Sequence, residues 1–506
     1  MSDDSVHAAL RSDATLVAVE APGGCGKTYQ GAAYARDIAD SISPGRLLIL
    51  THTHAACSVF HGRTRGLGSH VEIRTIDSLV SQLTDAYHAG IGLPPDTATW
   101  ARHNADGYDH LAVKAAALLD RYPPIAACLA RRYPVVICDE HQDSNGERHA
   151  IVMSLHDQGA RLRIFADPMQ RVFPLRDYVG GCAQLDWTAL TRAAQAFEQL
   201  DVPHRWNDGC QLLGRWILDA RTTLKNGGKV DVRAGLPPSV SIVFADNNAQ
   251  RNLEYRPVPA HRGPIDAFER TSDSLLILAR HNDTTFGLRP TFTRRIPLWE
   301  GHVRSDLETF VDALKDGHGN RNAVAKAVVG FVQATTTGFN AASYANNFQE
   351  DVADGCAKTR RKRPAKVQAL ARLIVDEPNH VGASKVVARI AELRAADADF
   401  RPIQLDCYRE FHEAARLGTF ETAEVGFHEI SRHRTYSRPQ PPDKAISTIH
   451  KAKGLECKNV IIMPCDAKSF PDNHISRCLL YVAMSRASSR LMLVIPRASP
   501  SPLLIV

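Results

Sequence analysis

The chain has 506 residues, of which 44% are hydrophobic and 23% charged, and its formal net charge is +6. This composition excludes a single small domain, a disordered chain and a fibrous protein, and it predicts several folded units. No apolar run reaches about 18 residues, and the first residues lack the basic-then-apolar order of a signal peptide. We therefore expect a soluble, cytoplasmic protein with no membrane partner. Eleven cysteines without a CxxC pair predict neither a disulfide framework nor a zinc site.

Short apolar runs alternate with amphipathic stretches in two parts of the chain. The first set predicts strands at residues 16–19, 47–50, 71–73, 135–138 and 163–165. The second set predicts strands at residues 239–244, 275–278, 445–448, 460–463 and 491–495. Buried strands separated by helical segments are typical of parallel sheets covered on both faces. The sequence therefore predicts an α/β fold with two parallel-sheet domains.

Two stretches of helical character interrupt these domains. We predict a first domain of residues 1–81 and 131–212, with a small helical insertion at 82–130. We predict a second domain of residues 213–300 and 431–506, with a larger helical insertion at 301–430. Insertions in the loops of a rigid α/β scaffold often carry contacts to partners or substrates.

A glycine-rich segment, APGGCGKT at residues 21–28, follows the first predicted strand. It is close to the P-loop pattern G-x-x-x-x-G-K-[ST], with Ala21 in place of the first glycine. In such a loop the backbone N–H groups wrap a phosphate, and the following helix N-terminus adds a favourable field. We expect Lys27 to neutralise the β and γ phosphates of ATP and Thr28 to bind a magnesium ion. The residues expected to line the phosphate are Gly23, Gly24, Cys25 and Gly26. The alternative is a glycine-rich turn without a ligand.

Two acidic residues, Asp139 and Glu140, end the buried run VVICDE at 135–140. A nucleotide site needs a group on the metal side, and Asp139 would hold the Mg2+ there. Glu140 would polarise the attacking water as general base. The alternative is a pair of solvated loop residues.

Further segments resemble the motifs of UvrD/Rep/PcrA-like DNA helicases of superfamily 1. DEHQD at 139–143 resembles motif II, STIHKAKGLE at 447–456 resembles motif V, and YVAMSRA at 481–487 resembles motif VI. Similar to other motifs of the family are LTHTHAA at 50–56, TIDSL at 75–79, FADPMQRVF at 165–173 and HRW at 204–206. The similarity is dense at residues 15–206 and 443–495.

The resemblance implies two RecA-like P-loop NTPase domains with ATP in the cleft between them and single-stranded DNA across both. Gln170 would sense the γ phosphate, and Arg205 and Arg486 would stabilise charge in the transition state. Glu456 would contact the nucleotide sugar, and His204 stands where the family has a ring against the base. The alternative for either arginine is a surface ion pair. The residues assigned to DNA by the resemblance are Thr51, His52, Thr53, His54, Thr75, Phe173, Thr448 and His450.

The chain departs from the family pattern at positions that bear on base selectivity and DNA contact. No glutamine precedes Gln30 to read adenine, so base selectivity is open, and the ring of His204 or Trp206 could stack on the base. His52 replaces a phenylalanine, although its ring can still stack on a nucleobase. Phe173 and Tyr178 are the candidate stacking platforms after motif III, and the alternative for either is a core residue. The basic run at 358–366 is either a phosphate contact or a solvated loop.

We therefore expect a magnesium-dependent ATPase that moves along single-stranded DNA, 3′ to 5′ by the resemblance. One alternative is a nucleotide-gated sensor of DNA ends or gaps that signals to a nuclease partner, because compact UvrD-like subunits of Gabija antiviral systems are similar in length and motif order. Another is a P-loop ATPase that does not bind nucleic acid. DNA repair and antiviral defence both stay open as pathways.

Overall fold

The computed structural model describes residues 2–104, 106–144, 146–172, 185–249, 254–292, 296–299, 305–436 and 442–506. Within these ranges the side chains of residues 54–55, 69, 102–103, 305, 428 and 431–436 are outside the description. The chain forms two compact units. The first contains Met1–Thr284 and Ala452–Val506, and the second contains Thr285–Lys451.

The elements are numbered here in chain order. The strands are β1 (Leu16–Glu20), β2 (Leu47–Thr51), β3 (Val71–Thr75), β4 (Val135–Cys138), β5 (Arg161–Ala166), β6 (Ala196–Gln199), β7 (Val230–Asp231), β8 (Val240–Phe244), β9 (Leu275–Ala279), β10 (Thr336–Thr337), β11 (Gln404–Leu405), β12 (Lys444–Thr448), β13 (Cys457–Ile462), β14 (Ala487–Ile495) and β15 (Leu504–Ile505). The helices are α1 (Ser2–Arg11), α2 (Lys27–Ile38), α3 (His54–Arg63), α4 (Ile76–Ala86), α5 (Thr97–His103), α6 (Gly107–Arg121), α7 (Pro123–Arg132), α8 (Gly146–Asp157), α9 (Trp187–Ala193), α10 (Gln211–Lys225), α11 (Gly263–Arg270), α12 (Asn282–Leu288), α13 (Ser305–Asp316), α14 (Arg321–Thr335), α15 (Asn346–Ala353), α16 (Lys362–Asp376), α17 (His380–Ala396), α18 (Tyr408–Ala414), α19 (Ala423–Tyr436) and α20 (His474–Met484).

The first unit contains a six-stranded parallel sheet in the order β3-β2-β4-β5-β1-β6. The central strands β1, β2 and β4 are buried along their whole length and mostly apolar, as expected of strands covered on both faces. In β2, Leu47 and Ile49 pack into one hydrophobic core, while Leu48 and Leu50 pack into the other. This arrangement places the carboxyl ends of β1, β2 and β4 at one edge of the sheet.

A second parallel sheet of the first unit contains the strands β9-β13-β14-β8 in that order. Helix α20 precedes its longest strand, β14, and is buried over most of its length. A short parallel pair, β15 with β7, lies outside this sheet.

The second unit is mainly helical and has its own hydrophobic core. Phe331 of α14 stacks on Phe310 at 4.4 Å and on Phe411 at 6.2 Å between ring centroids. Arg289 and Asp406, which are both buried, form an ion pair. Strands β10 and β11 form a short antiparallel pair.

Several cations of the basic run at 358–366 have acidic partners within the second unit. Lys358 lies 2.8 Å from Glu350, and Arg360 lies 2.9 Å from Asp351. Lys366 lies 2.7 Å from Asp399. These pairs partly neutralise the run, and its contact with phosphate stays a prediction.

The α/β fold with two parallel sheets and helical insertions is confirmed. Each of the ten predicted strands is present, and residues 82–130 and 301–430 are mainly helical. The sequence analysis missed β6, β7, β10, β11 and β15, which have four residues or fewer. Among the helices of the described ranges, none has the length and apolar character needed to cross a membrane. The predicted domain boundaries stay predictions.

Candidate active site

The glycine-rich loop joins β1 to α2 and has the backbone of a phosphate-binding turn. Gly24 and Gly26 have φ angles of 90° and 85°, which glycine adopts without the steric penalty of a side chain. Helix α2 begins directly afterwards, at Lys27. A Cβ atom at Gly24 would lie 2.8 Å from Cβ of Arg205, and one at Gly26 would lie 3.0 Å from Cδ2 of His204. The segment that contains Arg205 and His204 therefore packs directly on this loop.

Three charged side chains meet at the carboxyl edge of the first sheet. Lys27 forms an ion pair with Glu140, and its Nζ lies 3.8 Å from Oδ1 of Asp139. The N–H of Asp139 donates to the carbonyl of Leu50 at 2.8 Å, which ties the end of β4 to the end of β2. Glu140 has a φ of 54°, a left-handed conformation that is uncommon for a residue with a side chain. The loop and the two acids are thus brought together.

The electrostatics of this group follow from burial and from one shared cation. Burial raises the pKa of Asp139 to about 6, because a carboxylate is disfavoured away from water and Lys27 only partly offsets this. Burial also works against ionised Glu140, but the ammonium groups of Lys27 and Lys453 outweigh it and lower its pKa to about 2. Burial likewise opposes the charge on Lys27, yet the two acids raise its pKa. Lys27 and Glu140 are therefore a charged pair, while Asp139 is the acid that is easier to protonate.

The oxygen atoms at this edge fit a magnesium ion. Asp139 is 4% exposed, and its Oδ1 accepts no hydrogen bond from the residues that the structure describes. Thr28 is the second residue of α2 and offers a hydroxyl. Mg2+ prefers hard oxygen ligands and takes few of them from the protein. Asp139 and Thr28 are consequently the residues that would hold it.

A buried hydrogen-bond network surrounds Asp167, which has no exposed surface. Its Oδ2 accepts from the N–H of Gly23 at 3.2 Å, from Nε2 of Gln170 at 2.9 Å and from the hydroxyl of Tyr481 at 3.1 Å. Its Oδ1 accepts from Nη2 of Arg221 at 2.7 Å. The N–H of Gly23 also donates to the Tyr481 hydroxyl at 2.9 Å. Gln170 is thereby held against the glycine-rich loop, and α20 is joined to both.

Sequence reasoning missed Arg221. It lies four residues after Ile217 and is buried with Ile217 and Leu224 on one face of α10. An arginine on the apolar face of a helix is the signal that could have identified it, because a buried cation requires a partner.

The two arginines assigned to the transition state have different surroundings. Arg205 donates to the carbonyl of Ser485 at 2.7 Å and pairs with Glu456 at 2.8 Å. Arg486 is 1% exposed. It donates to the carbonyls of Val482 and Leu455, each at 3.0 Å, and to the hydroxyl of Ser485 at 2.8 Å. Burial lowers the pKa of Arg486 to about 10, and the charge of Arg205 adds to this effect. The alternative hypothesis that Arg486 forms a surface ion pair is therefore wrong.

The rings of His204 and Trp206 are placed differently. His204 remains partly exposed, and its Nε2 lies 2.8 Å from Oδ2 of Asp3. Trp206 is fully buried and donates from Nε1 to the carbonyl of Ala487 at 2.7 Å. The idea that Trp206 could stack on a nucleobase is thus wrong, because its faces are already covered. His204 keeps that predicted role.

Several residues predicted to contact DNA lie at the carboxyl ends of β2 and β3. The hydroxyl of Thr51 donates to the carbonyl of Thr53 at 3.1 Å. The hydroxyl of Thr53 accepts from the N–H of Ala56 at 3.2 Å and caps α3, and that of Thr75 caps α4. His52 lies 3.1 Å from Ser144. These residues share the sheet edge that carries Lys27.

Of the remaining residues predicted to contact DNA, two lie in the second unit and the side chains of the others lie outside the described residues. In the second unit, the hydroxyl of Thr448 accepts from the N–H of Lys451 at 3.3 Å, and His450 follows β12. Phe173, Tyr178 and the side chain of His54 lie outside the described residues.

Taken together, the parallel sheet, the glycine-rich loop between β1 and α2 and the acids after β4 define a RecA-like P-loop NTPase fold. Residues 97–178 match the UvrD/REP helicase N-terminal domain, and residues 444–494 match the UvrD-like helicase C-terminal domain. In these two segments the chain is similar to UvrD/Rep-like helicases of superfamily 1. A search of curated proteins found no match. Helicases of this family are ATP-dependent, use Mg2+ and bind DNA.

Proposed function

We propose that the chain is a magnesium-dependent ATPase that is stimulated by single-stranded DNA and moves along the strand 3′ to 5′. The observation that carries this proposal is the meeting of Lys27, Asp139 and Glu140 at the sheet edge that also holds Thr51 and Thr75, two of the residues predicted to contact DNA. The direction of movement rests on the resemblance to UvrD/Rep-like helicases.

The charged pair of Lys27 and Glu140 suggests how binding of ATP prepares hydrolysis. When the β and γ phosphates bind at the loop, they compete with Glu140 for Lys27. Loss of this cation raises the pKa of Glu140, and a carboxylate of higher pKa is a stronger general base. Glu140 then polarises the attacking water. A magnesium ion held by Thr28 and Asp139 would neutralise charge on the phosphates.

The residues around the loop would respond to the γ phosphate. Gln170, held by Asp167 beside Gly23, is placed to sense it. Arg205 would exchange Glu456 for phosphate, and Glu456 would then be free to contact the sugar. Arg486 would stabilise the transition state only after its guanidinium leaves the carbonyls that now accept from it. Movement of α20 and β14 would then accompany hydrolysis.

The rate of ATP hydrolysis tests this proposal. We expect it to rise several-fold on addition of an oligonucleotide. The DNA concentration needed for half-maximal stimulation should rise as the salt concentration is raised from about 50 to 200 mM, because binding through phosphate contacts releases counterions. A Lys27→Ala variant is the control for contaminating ATPases. Equal rates with and without DNA would contradict the proposal and favour a P-loop ATPase that does not act on nucleic acid.

Stopped-flow measurements with a fluorophore at either end of the oligonucleotide test movement and direction. We expect a delay that grows with strand length when the 5′ end carries the label. DNA-stimulated hydrolysis without any length-dependent delay would contradict movement. It would favour the alternative of a sensor of DNA ends or gaps that signals to a nuclease partner.

A further inference from the structure

A chain of four polar side chains runs behind the acids at the end of β4. Nε2 of His52 lies 3.1 Å from Oγ of Ser144, and this oxygen lies 3.2 Å from Nδ1 of His141. On the other side of the same ring, Nε2 of His141 lies 3.0 Å from Nδ1 of His149. Consecutive hydrogen bonds thereby join the end of β2, the turn after Glu140 and helix α8.

The directions of the hydrogen bonds in this chain depend on one another. Burial favours neutral imidazole, which has one N–H donor and one acceptor nitrogen, and the hydroxyl of Ser144 has a single proton. If His52 donates to Ser144, Ser144 can donate to His141, and His141 then donates to His149. If Ser144 instead donates to His52, His141 donates to Ser144 and His149 donates to His141. The proton position on His52 therefore decides whether Ser144 can donate to His141.

The middle of this chain fixes the turn that carries Glu140. His141 begins a single 3-10 turn, His141–Asp143, immediately after Glu140. His141 and Ser144 are each 1% exposed, so their positions are defined by packing. From the same turn, Oδ1 of Asp143 accepts from Nζ of Lys453 at 2.7 Å. Polar contacts of His141 and Asp143 thus anchor the turn that follows Glu140.

We infer that the His52–Ser144–His141 chain couples contact of single-stranded DNA at His52 to the placement of Glu140, with Ser144 as a positioning residue. The inference rests on the proposed function, because it presupposes hydrolysis that responds to DNA. A base or phosphate that contacts the His52 ring fixes which of its nitrogens carries the proton. That choice decides whether Ser144 can donate to His141, and His141 then adjusts the turn beside Glu140.

The variant Ser144→Ala interrupts this chain and leaves both imidazoles in place. At saturating DNA we expect kcat for ATP hydrolysis to fall by about 5-fold or more. The Kd for a fluorescent oligonucleotide should stay within about 2-fold of wild type, a change below the usual range of coupling between sites. Ser144→Thr keeps the hydroxyl and should restore most of the stimulation. Ser154→Ala is the matched control, because Ser154 lies on α8 and its hydroxyl donates to the carbonyl of Ala150, one turn earlier on the same helix, at 2.9 Å.

A second variant, His52→Phe, keeps an aromatic ring for stacking but cannot hydrogen-bond to Ser144. If both residues act through one chain, the double variant should lose no more stimulated kcat than the stronger single variant. Losses that multiply would show independent roles and overturn the inference. It would also be overturned by wild-type stimulation in both single variants, or by a defect in Ser144→Ala that disappears at saturating DNA. A wild-type enzyme that does not respond to DNA refutes the proposed function itself, before any variant is compared.

Discussion

Glu140, two residues after the end of β4, forms an ion pair with Lys27 and has a left-handed backbone conformation. Because Lys27 keeps this carboxyl ionised, the site is charged before a nucleotide binds. Lys27 and Glu140 are expected to contribute differently to nucleotide binding and to hydrolysis, and substitution of each residue separates the two contributions.

Glu140→Gln should retain ATP binding and lose turnover, because the amide cannot act as a base while Lys27 remains available to phosphate. Lys27→Ala should lose both, since no cation then faces the β and γ phosphates. Equilibrium binding of a fluorescent ATP analogue, measured beside steady-state hydrolysis, checks both outcomes. Wild-type turnover in Glu140→Gln would show that another residue is the base.

Arg486→Ala should reduce both stability and catalysis. Each buried acceptor left without a donor costs about 1–3 kcal/mol of unfolding free energy. Loss of a transition-state arginine lowers kcat by roughly 10³-fold or more. Arg490→Ala, on β14 four residues after Arg486, is the control and should change neither quantity strongly. Urea unfolding, kcat and nucleotide Kd should be measured on one preparation of each variant. A lower unfolding free energy of Arg486→Ala together with a wild-type kcat would show that Arg486 does not act in catalysis.

At the scale of elements, the buried network around Asp167 joins β1, β5, α10 and α20. Glu20, the last residue of β1, accepts from Arg221 at 2.8 Å and also pairs with Lys225. Burial opposes ionisation of Glu20, but these two cations outweigh it and lower its pKa below 4.5. The network therefore makes stability depend on pH.

Because the folded-state pKa of Glu20 is lowered, the unfolded chain binds the proton more tightly. The stabilisation is fully present above the unfolded pKa of 4.5, and it is lost as pH falls below that value toward the folded pKa. Glu20→Gln should reduce the unfolding free energy at neutral pH by about 1–3 kcal/mol and weaken its decline in acid. Urea unfolding across this pH range is the measurement. Glu198→Gln, on β6 of the same sheet, is the control, and the same change of profile in both variants would contradict the assignment to Glu20.

The sequence predicts those elements that carry a strong local pattern. Central strands such as β2 are continuous apolar runs, whereas β6 alternates between half-buried and exposed residues and has four residues, so it gives a weaker signal. The loop and the acids of the site are equally local, since Asp139 follows β4 directly and the glycine-rich loop that ends at Lys27 follows β1. Tyr481 and Asp167 are 314 residues apart, and no local pattern encodes that pairing. Trp206 was misjudged for the same reason, because its burial depends on residues distant in sequence.

At the scale of the whole molecule, the two compact units have separate hydrophobic cores. The stacked rings of Phe310, Phe331 and Phe411 lie entirely within the second unit. Phe331→Ala should lower the stability of that unit by about 3–5 kcal/mol through lost burial and the resulting cavity. Scanning calorimetry of this variant should show the unfolding transition of the second unit at a lower temperature. A nonhydrolysable ATP analogue should still raise the transition temperature of the first unit. Tyr408→Ala, which changes an exposed ring, is the control, and an equal shift of both transitions in Phe331→Ala would show that the two cores unfold together.

The burial of Trp206 also gives the molecule an intrinsic optical probe. A Cβ at Gly24 or Gly214 would lie within 2.9 Å of its ring, so the indole fills the space between the phosphate loop and α10. Of the five tryptophans in the chain, Trp206 is in direct contact with that loop. Any phosphate that rearranges the loop must alter the surroundings of this indole, and its emission should shift when a nucleotide binds. The unlabelled protein can thus report nucleotide arrival in real time, with Trp206→Phe as the silent reference.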